Sequence, residues 1–303
     1  MVKLGFWKDL KKPIFSLAPM ADVTDPAFRR IVAKYGKPAV LWTEFVSADG
    51  LMRADKKGKE KLLKNLIYSE SERPIVAQFF TSDPEAIRYA TNLAVKLGFD
   101  GVDINMGCPD RSVEKQGAGA ALIKNPKLAQ KLISSAKEAV EEAGSIIPIS
   151  VKTRIGYNKN EIRTWIPALL EAEPSVITVH LRTRKQMSKT SADWNIAKEI
   201  IEIRNKQGSE TLVFGNGDVE SLEHAKQLVK ETGVDGVMLG RAIFSNPYLF
   251  SNSAEYWNKF DQESIKRRLK ILVEHTELFE KILGDSRNFS IMKKQVPDIC
   301  QEA

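Results

Sequence analysis

The sequence predicts an α/β fold: a (β/α)8 TIM barrel over residues 1–250, followed by a small C-terminal helical domain over residues 251–303. Three observations carry this. Short runs rich in Val, Ile and Phe recur eight times between residues 14 and 240, mostly apolar on both faces, as strands of a buried parallel sheet are. A turn and a helix-like stretch follow each run, the alternation that builds a parallel barrel. Gln, Lys, Arg and His stand at the C-terminal ends of the runs, where a barrel forms its active site and where a core has no use for them. A doubly wound sheet is the rival fold, but eight evenly spaced repeats disfavour it. No G-x-G-x-x-G follows the first strand, so a Rossmann dinucleotide site is not supported.

In chain order, the first strand is "IFSLA" (14–18), which runs into "APMADVTD" and so places Pro19, Met20 and Ala21 at its end. The second is "AVLWT" (39–43) and the third "IVAQF" (75–79), which carries Gln78. The stretch 83–98 reads as a helix capped by Asp83 and stopped by Gly98. "GVDIN" (101–105) ends in Asn105, and Cys108 follows in a turn. A second long helix is predicted over 125–144. "IPISVKT" (147–153) brings Lys152 and then Arg154. "VITVH" (176–180) ends in His180, with Arg182 and Arg184 behind it. "TLVFG" (211–215) leads into "GNGD", and "GVMLG" (236–240) into Arg241. After Pro247 the strand pattern stops. Residues 261–284 read as one long amphipathic helix with Ile265, Leu269, Leu272, Val273 and Leu278 near helical spacing, and 288–294 as the start of another.

The chain carries 46 Lys and Arg against 39 Asp and Glu, a net charge of +7. From Ser251 onward nine basic residues face nine acidic ones, so the excess lies in residues 1–250. A polyanion such as a nucleic acid is one partner this charge suits, and simple solubility is the other reading. Two distant cysteines, Cys108 and Cys300, make no disulfide framework and fit a reducing, cytoplasmic setting. The N-terminal residues lack the apolar core of a signal peptide, and no run approaches the roughly 18 apolar residues of a membrane span.

"GNGD" (215–218) and "GR" (240–241), after the seventh and eighth strands, lie where barrels often bind phosphate. Gly215, Gly217 and Gly240 would let backbone approach it, and Arg241 would add a charge-assisted contact. A planar cofactor anchored there would cross the barrel mouth, within reach of Lys152 and Gln78. A strand-end lysine such as Lys152 is also what a Schiff-base aldolase uses.

The set "LAPMADVTDPAFRR", "INMGCPD" with "GAGAAL" downstream, "VKTRIGY", "VHLRTR", "GNGD" and "DGVMLGRAIFSNPYLF" resembles the tRNA-dihydrouridine synthase family, in that family's order over about residues 14–250. The resemblance implies a barrel that binds FMN, takes electrons from NADPH (or NADH), and reduces the C5–C6 bond of a uridine in tRNA, with no protein partner and a monomer as the expected state. Carried over by motif, Pro19, Met20 and Ala21 would line the flavin, Gln78 and Lys152 would meet its polar ring edge, and His180 would lie near it. Asn216, Gly217, Asp218, Gly240 and Arg241 would hold the phosphate region; Asn105, Arg154 and Arg182 would be on the substrate side. Cys108 would be the general acid that protonates uracil C5. A thiol with an ordinary pKa near ~8.5 is protonated at neutral pH yet able to give its proton up.

Departures from the family pattern are Leu181 after the histidine, "RKQMSKTSADW" (184–194) in the following loop, and a short C-terminal bundle in place of a longer one that grips tRNA. The resemblance leaves an alternative: an FMN barrel acting on a free pyrimidine or another small molecule. A catalytically silent RNA-binding barrel is a further one, against which Cys108 and Lys152 weigh.

Overall fold

A computed structural model describes residues 2–244, 246–251 and 261–294. Its strands are β1 (Ile14–Leu17), β2 (Leu41–Trp42), β3 (Val46–Ser47), β4 (Ile75–Phe80), β5 (Gly101–Met106), β6 (Ile149–Arg154), β7 (Val176–His180), β8 (Leu212–Asn216) and β9 (Gly236–Leu239). All pair in parallel, in the order β1-β9-β8-β7-β6-β5-β4-β2, and a bridge between Ser16 and Val40 closes the ring. First and last strands are therefore neighbours, which a doubly wound sheet does not allow.

The predicted strand 39–43 is the one that differs in kind. β2 and β3 both pair with β4 and form a single stave interrupted at residues 43–45. The interruption turns Glu44 inward, where its Oε1 accepts the Asp22 N–H at 2.6 Å. The two long barrel helices start and stop where their caps dictate. Asp83 accepts the Glu85 N–H ahead of Pro84–Lys96, Asn125 accepts the Leu128 N–H ahead of Pro126–Glu142, and Gly98 and Gly144 adopt positive φ just past the ends.

Alternation along each strand sorts the side chains. One set faces the helices and forms the main core, with Ile75, Ala77, Phe79, Val102, Ile104, Val151 and Val179 all buried. The other faces the barrel axis. At the bottom it is apolar: Ile14, Val76, Val176, Leu212 and Phe214 pack with Trp7, carried by the short 3-10 turn Gly5–Asp9 that plugs the barrel floor. The Trp7 ring lies 5.6 Å from Phe214 and 5.8 Å from Trp42. At the top the axis-facing positions turn polar: Gln78, Asp103, Asn105, Lys152, Arg154, His180 and Asn216.

The helix Gln262–Leu283, capped by Asp261, lies on Pro26–Tyr35. It buries Ile271, Phe279 and Leu283 against Ala27 and Ile31, with the His275 ring 5.7 Å from Phe28. The apolar face differs from the predicted one. Ile265, Leu269 and Val273 are exposed, and the buried stripe includes Ser264, Arg268 and His275. Burial here follows the shape of the barrel helix beneath, which accepts polar side chains and leaves three aliphatic ones outward. Residues 288–294 form a 3-10 turn (Phe289–Lys294) rather than a long helix start. The segment beside the predicted boundary at 250, residues 252–260, and Cys300 lie outside the described residues.

Candidate active site

The top of the barrel opens into a cleft of about 630 Å³. Of the residues expected at a cofactor, Pro19, Met20, Lys152, His180, Asn216, Gly217, Asp218, Gly240 and Arg241 line it; so does Arg182, expected on the substrate side. Ala21 and Gln78 do not. Ala21 is exposed outside the cleft, because the chain turns at Met20, whose N–H donates to Thr24 Oγ1 at 3.0 Å and whose carbonyl accepts from Val23 and Thr24. Gln78 is fully buried one layer below, its amide committed to Asp103 and Asn105.

The two glycine clusters also divide. Gly215 is a packing residue: a Cβ there would lie 2.3 Å from the Trp194 ring, whose Nε1 donates to the Gly217 carbonyl at 2.9 Å. Gly217 has φ +124, with Ala192 Cβ 2.8 Å from where its own Cβ would stand, and around Gly240 the nearest atoms to such a Cβ are those of Ala18 and Met20, at an ordinary contact distance of 3.9–4.0 Å. Here a backbone can lie close to a ligand. Asp218 (φ +51) does not offer itself to an anion. Its carboxylate accepts from Arg182, from Arg241 at 3.0 Å and from the Ala192 N–H at 2.9 Å, and the Arg182 bond holds it below the usual carboxylate range. It aims two arginines at the cleft.

Four cations therefore meet around it: Lys152, Arg154, Arg182 and Arg241. Burial, then the charge of Arg154, push the Lys152 amine down to about 8, and the amine donates to Asn216 Oδ1 at 3.3 Å. Asn216 is itself fixed by its Nδ2 donating to the Met238 carbonyl at 2.7 Å. His180 stands between two guanidiniums, Arg154 Nη1 3.2 Å from Nδ1 and Arg182 Nη1 3.4 Å from Nε2. Burial and four nearby cations push it down to about 2, so it is a neutral imidazole at every physiological pH. Arg182 is further tied to the Thr190 carbonyl at 2.6 Å.

Cys108 sits beside this cluster, half-buried, on the turn after β5. Asn105 Oδ1 caps that turn, accepting from Gly107 N at 3.1 Å and Cys108 N at 2.9 Å. Arg154 holds it from the other side, with Nε donating to the Gly107 carbonyl at 2.8 Å and Nη1 to the Thr183 and Met187 carbonyls at 3.2 Å. Arg154 thus joins the cysteine turn to the loop after β7. Arg184 adds a second tie, its Nε 2.9 Å from Glu114 on the short helix behind Cys108. Burial raises the thiol pKa, and Lys152 and Arg154 only partly offset it. The thiol keeps its proton at neutral pH.

The cationic donors Lys152, Arg182 and Arg241 and the backbone at Gly217 and Gly240 fit an anionic group such as a phosphate, and a cleft of this volume suits one cofactor-sized ligand. Sequence reasoning missed Asp103 and Trp194. The signal for Asp103 was present: an acid inside an apolar run, two residues before Asn105, must share its face.

The model of the family described as dihydrouridine synthase matches residues 16–303. The chain is 39% identical over 277 residues to the "Probable tRNA-dihydrouridine synthase 2" of Bacillus subtilis (strain 168), covering 91% of this chain and 81% of that one. It is 36% identical over 295 residues to the "Probable tRNA-dihydrouridine synthase" of Staphylococcus aureus (strain MRSA252), covering 97% and 86%. Among solved structures, morphinone reductase superposes with a TM-score of 0.54 at 12% identity over 87% of this chain and 91% of that one. A 2-naphthoyl-CoA reductase complex does so with 0.59 at 11% identity over 80% and 50%. At those identities the two structures attest the barrel fold. By the extent of the family match and the identity to these relatives, the chain belongs to the dihydrouridine synthase family.

Proposed function

We propose that this protein is a tRNA-dihydrouridine synthase that holds FMN across the cleft, is reduced by NADPH, and reduces the C5–C6 bond of a uridine in tRNA. The observation that carries the reading is the pairing of a protonated thiol, on a turn fixed from both sides, with a cationic cleft at the mouth of the barrel. Family membership supports it.

Reduced FMN, when bound, supplies the hydride that uracil C6 accepts. Cys108 gives the Sγ proton to C5 and regains one from solvent, so the double bond gains one hydride and one proton. Arg241, Arg182 and the backbone at Gly217 and Gly240 would hold the phosphate. Lys152 would donate to the polar ring edge, and its lowered pKa leaves it able to do so as ammonium at neutral pH. The substrate-side roles of Asn105 and Arg154 combine with the turn contacts described above: Asn105 has one amide hydrogen left over, and Arg154 sets the loop on which the base would rest.

No helix among the described residues is long and apolar enough to cross a membrane. Mapping dihydrouridine in tRNA from cells with and without this protein tests the function; unchanged tRNA would refute it. Heat release of the chromophore followed by mass measurement tests the cofactor, FMN being expected and FAD or a covalently retained flavin excluding it. Comparing the rates of flavin reduction by NADPH and NADH tests the reductant.

A further inference from the structure

Asp103 does not line the cleft and takes no part in the reaction just described. We propose that it is a positioning residue which, through Gln78, fixes the direction of the Asn105 amide, and with it the Cys108 turn and the donor that Asn105 offers to the substrate. The proposal rests on the reading of Cys108 as the proton donor.

The register puts the parts together. Gln78 on β4 stands opposite Asp103 on β5, and Asn105 follows two residues later on the same face. Asp103 Oδ1 accepts from Ser150 Oγ at 2.6 Å, and Oδ2 from Gln78 Nε2 at 2.7 Å. Gln78 Oε1 then accepts from Asn105 Nδ2 at 3.0 Å, leaving Asn105 Oδ1 for the N–H groups of Gly107 and Cys108.

An ionised carboxylate can only accept. Gln78 must therefore turn its NH2 toward Asp103 and its oxygen toward Asn105. Asn105 must answer with its own NH2, and its oxygen is the end that reaches the cysteine turn. One Asn105 N–H remains, and a donor there suits a carbonyl oxygen of the base. With an amide at position 103, either orientation of Gln78 is satisfied, and the whole chain can invert. Gln78 would then offer NH2 to Asn105, whose oxygen would leave the Cys108 N–H unpaired. Buried polar chains of this kind are costly when half-satisfied. Burial pushes the Asp103 carboxyl up to about 6, while Trp42 of β2, Gln78 of β4, and Ser150 and Lys152 of β6 face it and favour the charged form. It is ionised at pH 7 and loses acceptor-only character in mild acid.

The test uses the full-length holoenzyme, reduced by NADPH and mixed with unmodified tRNA in a stopped-flow instrument. In parallel, iodoacetamide alkylation of Cys108 is followed by peptide mass. Asp103→Asn should slow reoxidation by tRNA about tenfold or more, the scale of a lost hydrogen bond to a charged group. It should leave flavin reduction by NADPH near wild type and speed alkylation severalfold. Combining it with Gln78→Glu should return most of the rate, because the new amide at 103 then donates to the new carboxylate at 78, which again only accepts from Asn105. A packing role predicts no such rescue. Wild-type kinetics in Asp103→Asn, or a folded, flavin-loaded double variant that recovers nothing, would overturn the proposal.

Should Asp103→Asn not fold, Ser150→Ala serves. It removes one donor to the carboxylate, so the acid limb of the reoxidation profile should move up by about one pH unit; an unmoved midpoint would equally overturn the proposal. If wild-type enzyme is not reoxidised by tRNA at all, the functional reading falls instead, and the alkylation rates still judge the relay.

Discussion

The Cys108 thiol is buried enough to stay protonated and close enough to Lys152 and Arg154 to feel their charge. Cys108→Ala should leave flavin bound and reducible by NADPH, while reoxidation by tRNA slows by roughly 10²–10⁴-fold for a lost general acid. Cys108→Ser should rescue little, a hydroxyl being a far weaker acid. Stopped-flow flavin absorbance separates the two half-reactions, and wild-type turnover of tRNA by the alanine variant would make Cys108 a packing residue. The pH dependence has a definite sign. Burial raises this acid's pKa, so the reactive thiol persists through neutral pH and is lost as pH rises through the raised value. Titration of Cys108 should therefore lower the reoxidation rate on the alkaline side, above the ordinary thiol range, and the alanine variant should lack that limb. At the other end of the cleft, Arg241 is two-thirds exposed and held by Asp218. Arg241→Ala should weaken flavin retention tenfold or more, about 1.5–3 kcal/mol for a charged contact, with folding intact. Equal flavin content after dilution and filtration would count against the phosphate's placement.

Among the elements, the break between β2 and β3 has the widest consequence. It exposes Glu44 to the C-terminal segment, where Arg287 donates to both carboxylate oxygens, at 2.7 and 3.3 Å, and to Asn65 at 2.9 Å. This pair, nearly buried, locks residues after the long helix onto the barrel rim. Burial raises the Glu44 pKa, and Arg287 opposes the rise. Removing the arginine strands a buried carboxylate, so Arg287→Ala should cost about 3 kcal/mol at pH 7. Because a raised acid destabilises the fold when ionised, the loss relative to wild type should shrink as pH falls toward 5 and Glu44 takes up a proton. Denaturant melts at the two pH values check this; a deficit that is equal at both, or larger at pH 5, would show that Glu44 is not the group left unpaired.

The molecule as a whole is a basic barrel whose mouth carries its chemistry and whose rim carries further charge. Outside the main cleft, Lys159, Lys185 and Lys189 line a second cleft of about 540 Å³ between the loops after β6 and β7. The same β7 loop is tied to the cysteine turn through Arg154 and Arg184. Phosphate contacts made there would sit on the element that sets the active-site wall. tRNA binding should weaken steeply with salt, the slope of log K against log salt growing by ~0.7 for each phosphate neutralised on flexible RNA. Changing Lys185 and Lys189 to Ala together should flatten that slope by about 1.4 if each meets one phosphate. Binding isotherms at several salt concentrations measure it, and an unchanged slope would move the RNA footprint elsewhere.

Much was legible before folding because it depends on neighbours in the chain. Runs such as "GVDIN" and "VITVH" announce buried parallel strands, Asp83 and Asn125 announce helix starts, and strand-end Lys152, Arg154 and His180 announce the working face of a barrel. What only the tertiary structure decided depends on residues distant in sequence. Gly215 is reserved for the Trp194 ring and Asp218 serves two arginines, where both looked like phosphate contacts. Gln78 lies a layer below the cleft because its amide is claimed by Asp103 and Asn105. The long helix buries His275 and leaves Leu269 outside because the surface it lies on, not its own periodicity, chooses the buried face. Local patterning determines that a strand or helix forms and which way it faces on average. Which partner each polar atom finds is set only when eight staves close and bring residues such as Lys152 and Asn216, 64 positions apart, within hydrogen-bonding distance.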